Sequence, residues 1–176
     1  RRALRGLARL NRLDDSAAAL WPSLRELARE LGRPVTVLDV ATGSGDVPVR
    51  LATKAARAGV PVEVAGCDVS PTAVQTAAET AAAAVAARFF VHDVLADPLP
   101  GGYDVVTCSL FLHHLSDADA MTLLGRLKDA AGRLVLVNDL ARGRLGFLLV
   151  GVACRVVTRS PVVRFDGPAS VRSAYT

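Results

Sequence analysis

Aromatic residues and methionine are scarce in this sequence of 176 residues: aromatic side chains make up 5%, with one Trp, and there is one Met. Proteins that bind nucleic acid often combine basic side chains with aromatic rings that stack on bases. The first twelve residues hold five arginines and no aromatic residue, while leucines recur at helical spacing. We therefore interpret residues 2–10 as an amphipathic helix with a solvated basic face. Despite the net charge of +4, no nucleic-acid partner is expected.

Cysteine is also rare, and the three thiols, Cys67, Cys108 and Cys154, form no Cys-x-x-Cys pair. This spacing argues against a zinc site or a redox dithiol, and no metal is predicted. An odd number of cysteines in apolar stretches is typical of a reducing compartment, where free Cys acts as a small hydrophobic residue. We predict a cytoplasmic protein.

Long apolar runs are missing as well. The most hydrophobic segment, residues 145–157, is shorter than the roughly 20 residues that cross a bilayer. It predicts a buried or pocket-covering helix and no membrane span.

A third glycine is absent from the most informative segment, Val37–Val47. Gly43 and Gly45 can take positive φ and bring the backbone close to a ligand. The dinucleotide motif G-x-G-x-x-G would place its last glycine at Pro48, which disfavours a nicotinamide oxidoreductase. Asp39 precedes the glycines, where it can hold the loop's backbone N–H groups, so the pattern favours a ligand without phosphates. By itself the loop is equally compatible with a tight turn that binds nothing.

Apolar and helical segments alternate along a length that suits one domain. We predict helices over residues 2–10, 15–31, 46–58, 71–87 and 117–130, and strands over 36–40, 62–67, 88–92, 103–109 and 133–138. This order predicts an α/β fold with a mostly parallel sheet and helices on both faces.

Polar residues follow the ends of these strands, and in such sheets ligands bind beyond the carboxyl ends of the strands. They are Asp39, Asp68, Asp93, Ser109, Asn138 and Asp139. Asp68 lies about 20 residues beyond the glycine loop, where a carboxylate can accept both hydroxyls of a ribose. Asp93 is placed to face an adenine amino group. Each aspartate alone is more typical of a turn or a helix cap, but their joint placement at the strand ends favours a ligand site.

The chain resembles class I S-adenosylmethionine-dependent methyltransferases, most like those of ubiquinone and menaquinone biosynthesis. Four ordered motifs within residues 36–139 carry the resemblance. They are Asp39-x-Ala41-x-Gly43-x-Gly45-Asp46, Gly66-Cys67-Asp68-Val69-Ser70, His92-Asp93-Val94, and Tyr103–Ser109 running into Leu112-His113-His114-Leu115. Ala41 stands where many class I enzymes have the first glycine, a variation that the quinone group shares.

The resemblance implies a Rossmann-like domain that binds S-adenosylmethionine and releases S-adenosylhomocysteine. The implied cofactor-binding residues are Asp39, Ala41, Gly43, Ser44, Gly45, Asp68, Val69, Asp93, Val94 and Ser109. It divides one domain, residues 1–176, into N-terminal helices (1–34), a cofactor-binding core (35–140) and an acceptor-side cap (141–176). The C-terminal strands of the usual seven-stranded sheet are missing from this sequence, so strand five would be an exposed edge and a homodimer is possible.

The implied reaction is methyl transfer to oxygen or carbon of a small molecule, such as an aromatic, quinone or polyketide-like acceptor. His113 or His114 is a candidate base for removing an acceptor proton, although a histidine here can also only pack or cap. Ser109 replaces the first carboxylate of the magnesium-dependent catechol type, which disfavours a metal. The alternatives are a nucleic-acid methyltransferase and a non-catalytic module that binds S-adenosylmethionine.

Overall fold

The computed structural model of the protein describes residues 16–82 and 86–139. The helices are α1 (Ser16–Leu31), α2 (Asp46–Arg57), α3 (Pro71–Ala82) and α4 (Asp117–Ala130), with a 3₁₀ helix at Leu112–His114. The strands are β1 (Val35–Val40), β2 (Val62–Asp68), β3 (Ala87–Val91), β4 (Tyr103–Ser109) and β5 (Ala131–Asn138). Four predictions lie outside the described residues: the helix at 2–10, the cap over 141–176 with its apolar segment, the environment of Cys154, and the missing C-terminal strands.

All five strands run parallel in one sheet, in the order β3-β2-β1-β4-β5. The chain builds outward from β1 through β2 to β3, then crosses to the other side of β1 to form β4 and β5. Val37 of β1 lies between Val64 of β2 and Val105 of β4. The order therefore reverses between β1 and β4, which is where a sheet of this type opens a crevice for a ligand.

The central strands are mostly apolar because helices cover both faces of the sheet. Val37 points into a cluster with residues of α1 and α2, whereas its neighbour Leu38 points to the opposite face, among Leu123 and Leu127 of α4. All four residues mentioned here are fully buried, and the alternation follows the two-residue period of a strand. The predicted α/β fold with helices on both faces is confirmed.

Two local features differ from the prediction. The helix predicted to run to residue 87 is described only to Ala82, and β3 already begins at Ala87. A run of alanines favours helix without marking where a helix ends, so the sequence could not locate this boundary. The 3₁₀ helix Leu112–His114 was not predicted, since one turn is too short to show a hydrophobic period.

A polar network joins β1 to β4 at the amino end of the sheet, away from the crevice. The Arg33 guanidinium donates to both carboxylate oxygens of Asp104 at 2.7 and 2.8 Å. Thr36 adds its backbone N–H and its hydroxyl, each 3.0 Å from the same carboxylate. These donors favour the ionised form and hold the pKa of Asp104 well below its usual range. The network fixes the two strands between which the crevice opens.

Two further observations apply to residues 16–82 and 86–139. None of their helices has the length and apolar composition that a bilayer crossing requires. Their His, Cys, Asp and Glu side chains form no group of three or more that could hold a metal ion. That the protein uses no metal stays a prediction.

Candidate active site

The structure brings the strand-end residues together at the carboxyl edge of the sheet. The glycine loop follows β1, and Asp68 ends the neighbouring strand β2. On the other side of β1, Ser109 ends β4 and pairs with Asn138 at the end of β5. Asp93 lies in the loop after β3. Residues from five strands therefore surround the β1/β4 crevice.

The two glycines of the loop have different surroundings. Gly43 has φ +55°, and a side chain built on it would meet nothing within 4 Å. Gly45 has φ +77°, but a Cβ there would lie 2.8 Å from the Ala77 Cβ and 3.3 Å from the Phe89 ring. Gly45 therefore lets α3 pack close to the loop, whereas Gly43 faces open space. That both glycines bring the backbone close to a ligand stays a prediction.

Two residues without the freedom of glycine adopt left-handed backbone beside the crevice, Ala41 after β1 and Leu110 after β4, both with φ of 55°. For an L-residue this conformation costs about 1–2 kcal/mol, so the surrounding contacts must hold it. The Leu110 N–H donates to the Asn138 carbonyl at 2.8 Å. That bond anchors the turn after β4 to the end of β5.

Asp68 fixes the shape of the glycine loop. Its Oδ2 accepts the Gly43 N–H at 2.9 Å, and its Oδ1 accepts the Ser70 N–H at 2.9 Å. Each carboxylate oxygen can accept a second bond, so two hydroxyls of a ligand can still be held. The next residue, Val69, is 62% exposed, which is unusual for a large apolar side chain beside a buried strand. A flat apolar group could cover it.

Asp39 lies beneath the loop, only 2% exposed. The expectation that it holds the loop's N–H groups is wrong: its Oδ1 accepts from the Thr107 hydroxyl at 2.6 Å, and the Gly43 N–H goes to Asp68. Burial raises the pKa of Asp39 to about 6, opposed by the hydrogen bond from the Thr107 hydroxyl and assisted by the Asp68 charge. No cationic side chain of the described residues pairs with this carboxylate. It is therefore suited to a cationic ligand.

Asp93 shapes the loop after β3. Its Oδ1 accepts the backbone N–H groups of Leu95 at 2.9 Å and Ala96 at 3.3 Å. This is the turn geometry that the sequence allowed as an alternative to ligand binding. The Oδ2 oxygen has no partner in the described part of the chain, so a turn role and a ligand role are compatible. Val94 follows with its side chain buried.

Ser109 ends β4 with a hydroxyl that is buried yet forms no hydrogen bond to any described residue. A buried polar atom without a partner costs about 1–3 kcal/mol. Its position at the crevice makes it a site for a ligand or a water molecule. Ser44, also predicted, donates its hydroxyl to the Asp46 carboxylate at 2.6 Å, at the start of α2.

His113 forms a pair with Asp139 that the sequence did not predict. Nδ1 of His113 lies 2.5 Å from Oδ1 of Asp139, and the His113 backbone N–H donates to Oδ2 at 3.2 Å. The His113 ring is buried, whereas His114 is exposed with its ring centroid 4.1 Å from that of His113. A neutral ring that donates from Nδ1 carries its lone pair on Nε2, so Asp139 orients His113 as a proton acceptor. The two histidines are therefore not equivalent.

The neighbouring Asn138 has a structural role. Its side-chain amide donates to the hydroxyl of buried Ser16 at 2.9 Å. The bond ties the start of α1 to the carboxyl end of β5. Of Asn138 and Asp139, Asp139 is the residue that contacts a predicted catalytic residue, His113.

Comparison with known proteins decides the family. The family described as "Methyltransferase domain" matches residues 37–131, more than half of the chain. The chain belongs to the methyltransferase-domain family. Its parallel sheet, its glycine loop and the acids after β2 and β3 are those of the class I S-adenosylmethionine-dependent methyltransferases.

Two demethylmenaquinone methyltransferases are similar in sequence to this methyltransferase domain. The chain is 35% identical to the demethylmenaquinone methyltransferase of Thermus thermophilus over 73% of its own length and 59% of that protein. It is 35% identical to the enzyme of the same name from Deinococcus radiodurans over 60% of its length and 43% of that protein. The chain thus spans about half the length of these relatives.

A solved structure extends the comparison. The crystal structure of magnesium protoporphyrin IX methyltransferase from Synechocystis PCC 6803 with bound S-adenosylmethionine superposes with a TM-score of 0.55. The two sequences are 25% identical, and the match covers 74% of this chain and 58% of that one.

Proposed function

We propose that this chain binds S-adenosylmethionine and transfers its methyl group to oxygen or carbon of a small molecule. The observation that carries the proposal is the crevice between β1 and β4. There an open glycine cradle, an acid able to accept two hydroxyls and a buried carboxylate without a cation meet at one edge. The relatives named for methyl transfer support it.

The residues fit the parts of S-adenosylmethionine one by one. Gly43 and Ser44 would receive the methionine part, whose positive charge suits the buried carboxylate of Asp39. Asp68 would hold the ribose hydroxyls, and Val69 would lie against the adenine. The unsatisfied Ser109 hydroxyl is placed to meet a polar atom of the cofactor or the acceptor. No diphosphate-binding glycine is needed because the cofactor has no phosphate.

Asp93 and Val94 would hold the adenine, with the unpartnered Oδ2 of Asp93 accepting from its amino group. Ala41 completes the turn and contributes backbone only. When bound, the cofactor supplies an electrophilic methyl group, and the protein's task is to align the acceptor with it.

His113 is the proposed base on the acceptor side. Asp139 holds Nδ1, so Nε2 can take the proton of a phenolic or quinol hydroxyl, which makes the ring oxygen or carbon more nucleophilic. His113 would take this proton on Nε2, and the Asp139 carboxylate would stabilise the resulting imidazolium. His114 is exposed to solvent, whereas the His113 ring is buried against Asp139.

The acceptor class follows from the relatives named for demethylmenaquinone, so we propose an aromatic or quinone-type molecule. Cys67 and Cys108 are free and buried, which suits the predicted cytoplasmic location. A homodimer and the absence of nucleic-acid binding stay predictions.

Calorimetric titration with S-adenosylhomocysteine tests the cofactor assignment. We expect binding by the wild type, and Asp68→Ala should weaken it by more than tenfold while the circular dichroism spectrum is retained. Glu63→Gln, on the exposed part of the same strand, is the matched control and should bind normally. No measurable binding by the full-length wild type would refute the proposed function, including the non-catalytic alternative.

A second experiment separates the enzyme from a binding module. With a short-chain demethylmenaquinol as the acceptor, His113→Gln should lower kcat by about 10² or more. The affinity of this variant for S-adenosylhomocysteine should stay within about twofold of wild type. His114→Gln should retain most of the rate. Equal losses in the two variants would contradict the assignment of His113 as the base.

A further inference from the structure

A single arginine holds the loop that follows β3. The Arg126 guanidinium on α4 donates to three backbone carbonyls of this loop. Nη1 bonds the Val94 carbonyl at short range and the Asp97 carbonyl at 3.0 Å, and Nη2 bonds the Ala96 carbonyl at 3.2 Å. These partners lie about 30 residues away along the chain. The contact is therefore tertiary, and neither element forms it alone.

The same loop carries the proposed adenine-binding residue. Oδ1 of Asp93 accepts from the backbone of Leu95 and Ala96, and its carbonyl accepts from Ala96 at 3.2 Å and Asp97 at 3.0 Å. The two side chains thus bond opposite ends of the Val94–Leu95 peptide group, since Arg126 takes the Val94 carbonyl and Asp93 takes the Leu95 N–H. The other two carbonyls that Arg126 bonds, those of Ala96 and Asp97, lie in the same turn.

The chemistry of the guanidinium explains why an arginine is suited here. Three carbonyl dipoles converge with their negative ends on one point, which is unfavourable without a compensating charge. A planar guanidinium offers several N–H donors in a fixed arrangement, whereas an ammonium acts as a point charge. Without Arg126 the carbonyls would turn toward water, and the loop backbone that orients Asp93 would change with them.

We propose that Arg126 is a positioning residue for adenine recognition, acting through the loop that presents Asp93. This rests on the proposed function, since it assumes that the loop faces the adenine of S-adenosylmethionine. Arg126 does not contact the cofactor. It sets the conformation in which the free Oδ2 of Asp93 accepts a hydrogen bond from the 6-amino group.

The test compares two ligands that differ only at the base. S-adenosylhomocysteine carries a 6-amino donor, whereas S-inosylhomocysteine carries a 6-oxo acceptor at that position and has its donor on the ring atom N1 instead. We expect the wild type to prefer the adenine ligand by about tenfold or more in calorimetric titrations. Arg126→Gln should weaken the adenine ligand by about tenfold and the inosine ligand by less than twofold, so that the preference is lost.

Three single variants and one double variant test the role of Arg126 further. Arg126→Lys should recover only part of the preference because an ammonium cannot hold three carbonyls in one plane. Lys128→Gln removes a positive charge from an exposed position of the same helix and should change neither affinity. Asp93→Asn should also lose the preference, and combining it with Arg126→Gln should add little, because both act on one interaction.

The outcomes distinguish this inference from the proposed function. If the wild type binds neither ligand, the proposed function fails and the inference fails with it. If the wild type binds and Arg126→Gln keeps its preference for adenine, the inference alone is overturned. A lower melting temperature with equal weakening of both ligands would show that Arg126 only stabilises the fold, which also overturns it.

Discussion

Replacing Asp39 by Asn tests the role of the buried carboxylate beneath the glycine loop. The side chain is 2% exposed, accepts a hydrogen bond from Thr107 and has no cationic partner among the described residues. Burial raises the pKa of Asp39 from 3.8 to about 6. The folded, ligand-free protein therefore holds this proton more tightly than the unfolded chain does.

The size and sign of the effect follow from that pKa. A difference of about two units corresponds to about 3 kcal/mol, since each unit is worth about 1.4 kcal/mol. Because the folded pKa is the higher one, the free energy of unfolding falls as pH rises from about 4 to above 6. At neutral pH the ionised carboxylate costs the ligand-free fold up to about 3 kcal/mol. Asn has no charge, so Asp39→Asn should remove this slope.

Urea unfolding followed by circular dichroism, at several pH values from 4.5 to 8, measures the slope. This window excludes Asp104, whose stabilising effect is present above its usual pKa and is lost only as pH falls below about 4. The wild-type and Asp39→Asn curves should diverge by about 2 kcal/mol across the window, because the first part of the effect develops below pH 4.5. Parallel curves would refute the reasoning that burial, without a compensating cation, raises this pKa.

The same substitution has a consequence for binding. A cationic ligand favours the ionised form of Asp39, so wild-type affinity for S-adenosylmethionine should rise by up to about tenfold per pH unit below 6 and level off above it. Asp39→Asn should bind more weakly at pH 7.5 and lose this dependence. If Asp39→Asn shows the same pH dependence of affinity as the wild type, the charge of Asp39 does not contribute to ligand binding.

Three further substitutions and one labelling measurement test the fold around the crevice. Gly45→Ala should lower the free energy of unfolding by about 3 kcal/mol, because it adds both left-handed strain and a contact shorter than van der Waals distance. Gly43→Ala has open space and should cost only about 1 kcal/mol, yet weaken S-adenosylmethionine binding at least tenfold; equal losses of stability in urea unfolding would contradict this. Asp104→Asn should lose about 1–2 kcal/mol at pH 7 by breaking the bonds from Arg33, and the difference from wild type should shrink progressively as pH falls below about 4 toward the lowered pKa of Asp104. Burial raises the pKa of the Cys67 thiol to about 12, so a thiol reagent at pH 8 should label it only as fast as the protein unfolds; rapid labelling of native protein would show that this strand opens locally.

Much of the cofactor side could be predicted from local pattern. The glycine loop, Asp68 and Asp93 each follow an apolar strand, and parallel strands present their carboxyl ends at one edge. That rule places the three features together once the alternation of strands and helices is recognised. Side-chain identity and period are enough here, because the information lies within each short segment.

Local pattern was not sufficient to assign individual roles within the loop. Gly43 and Gly45 are both glycines with positive φ, yet only the packing of α3 distinguishes the one that faces open space. Asp39 was expected to hold backbone N–H groups, but β4 brings the Thr107 hydroxyl to it from 68 residues away. Such partners are set by the sheet's strand order.

The sequence by itself determined the α/β fold, the family and the position of the cofactor crevice, because these depend on hydrophobic period, turn residues and strand ends. Only the tertiary structure decided which histidine is oriented, since His113 meets Asp139 across 26 residues when β4 and β5 pair. It likewise decided that Arg126 holds the loop of Asp93. Contacts between distant segments depend on strand order, helix packing and backbone direction together, and no single stretch of sequence specifies them.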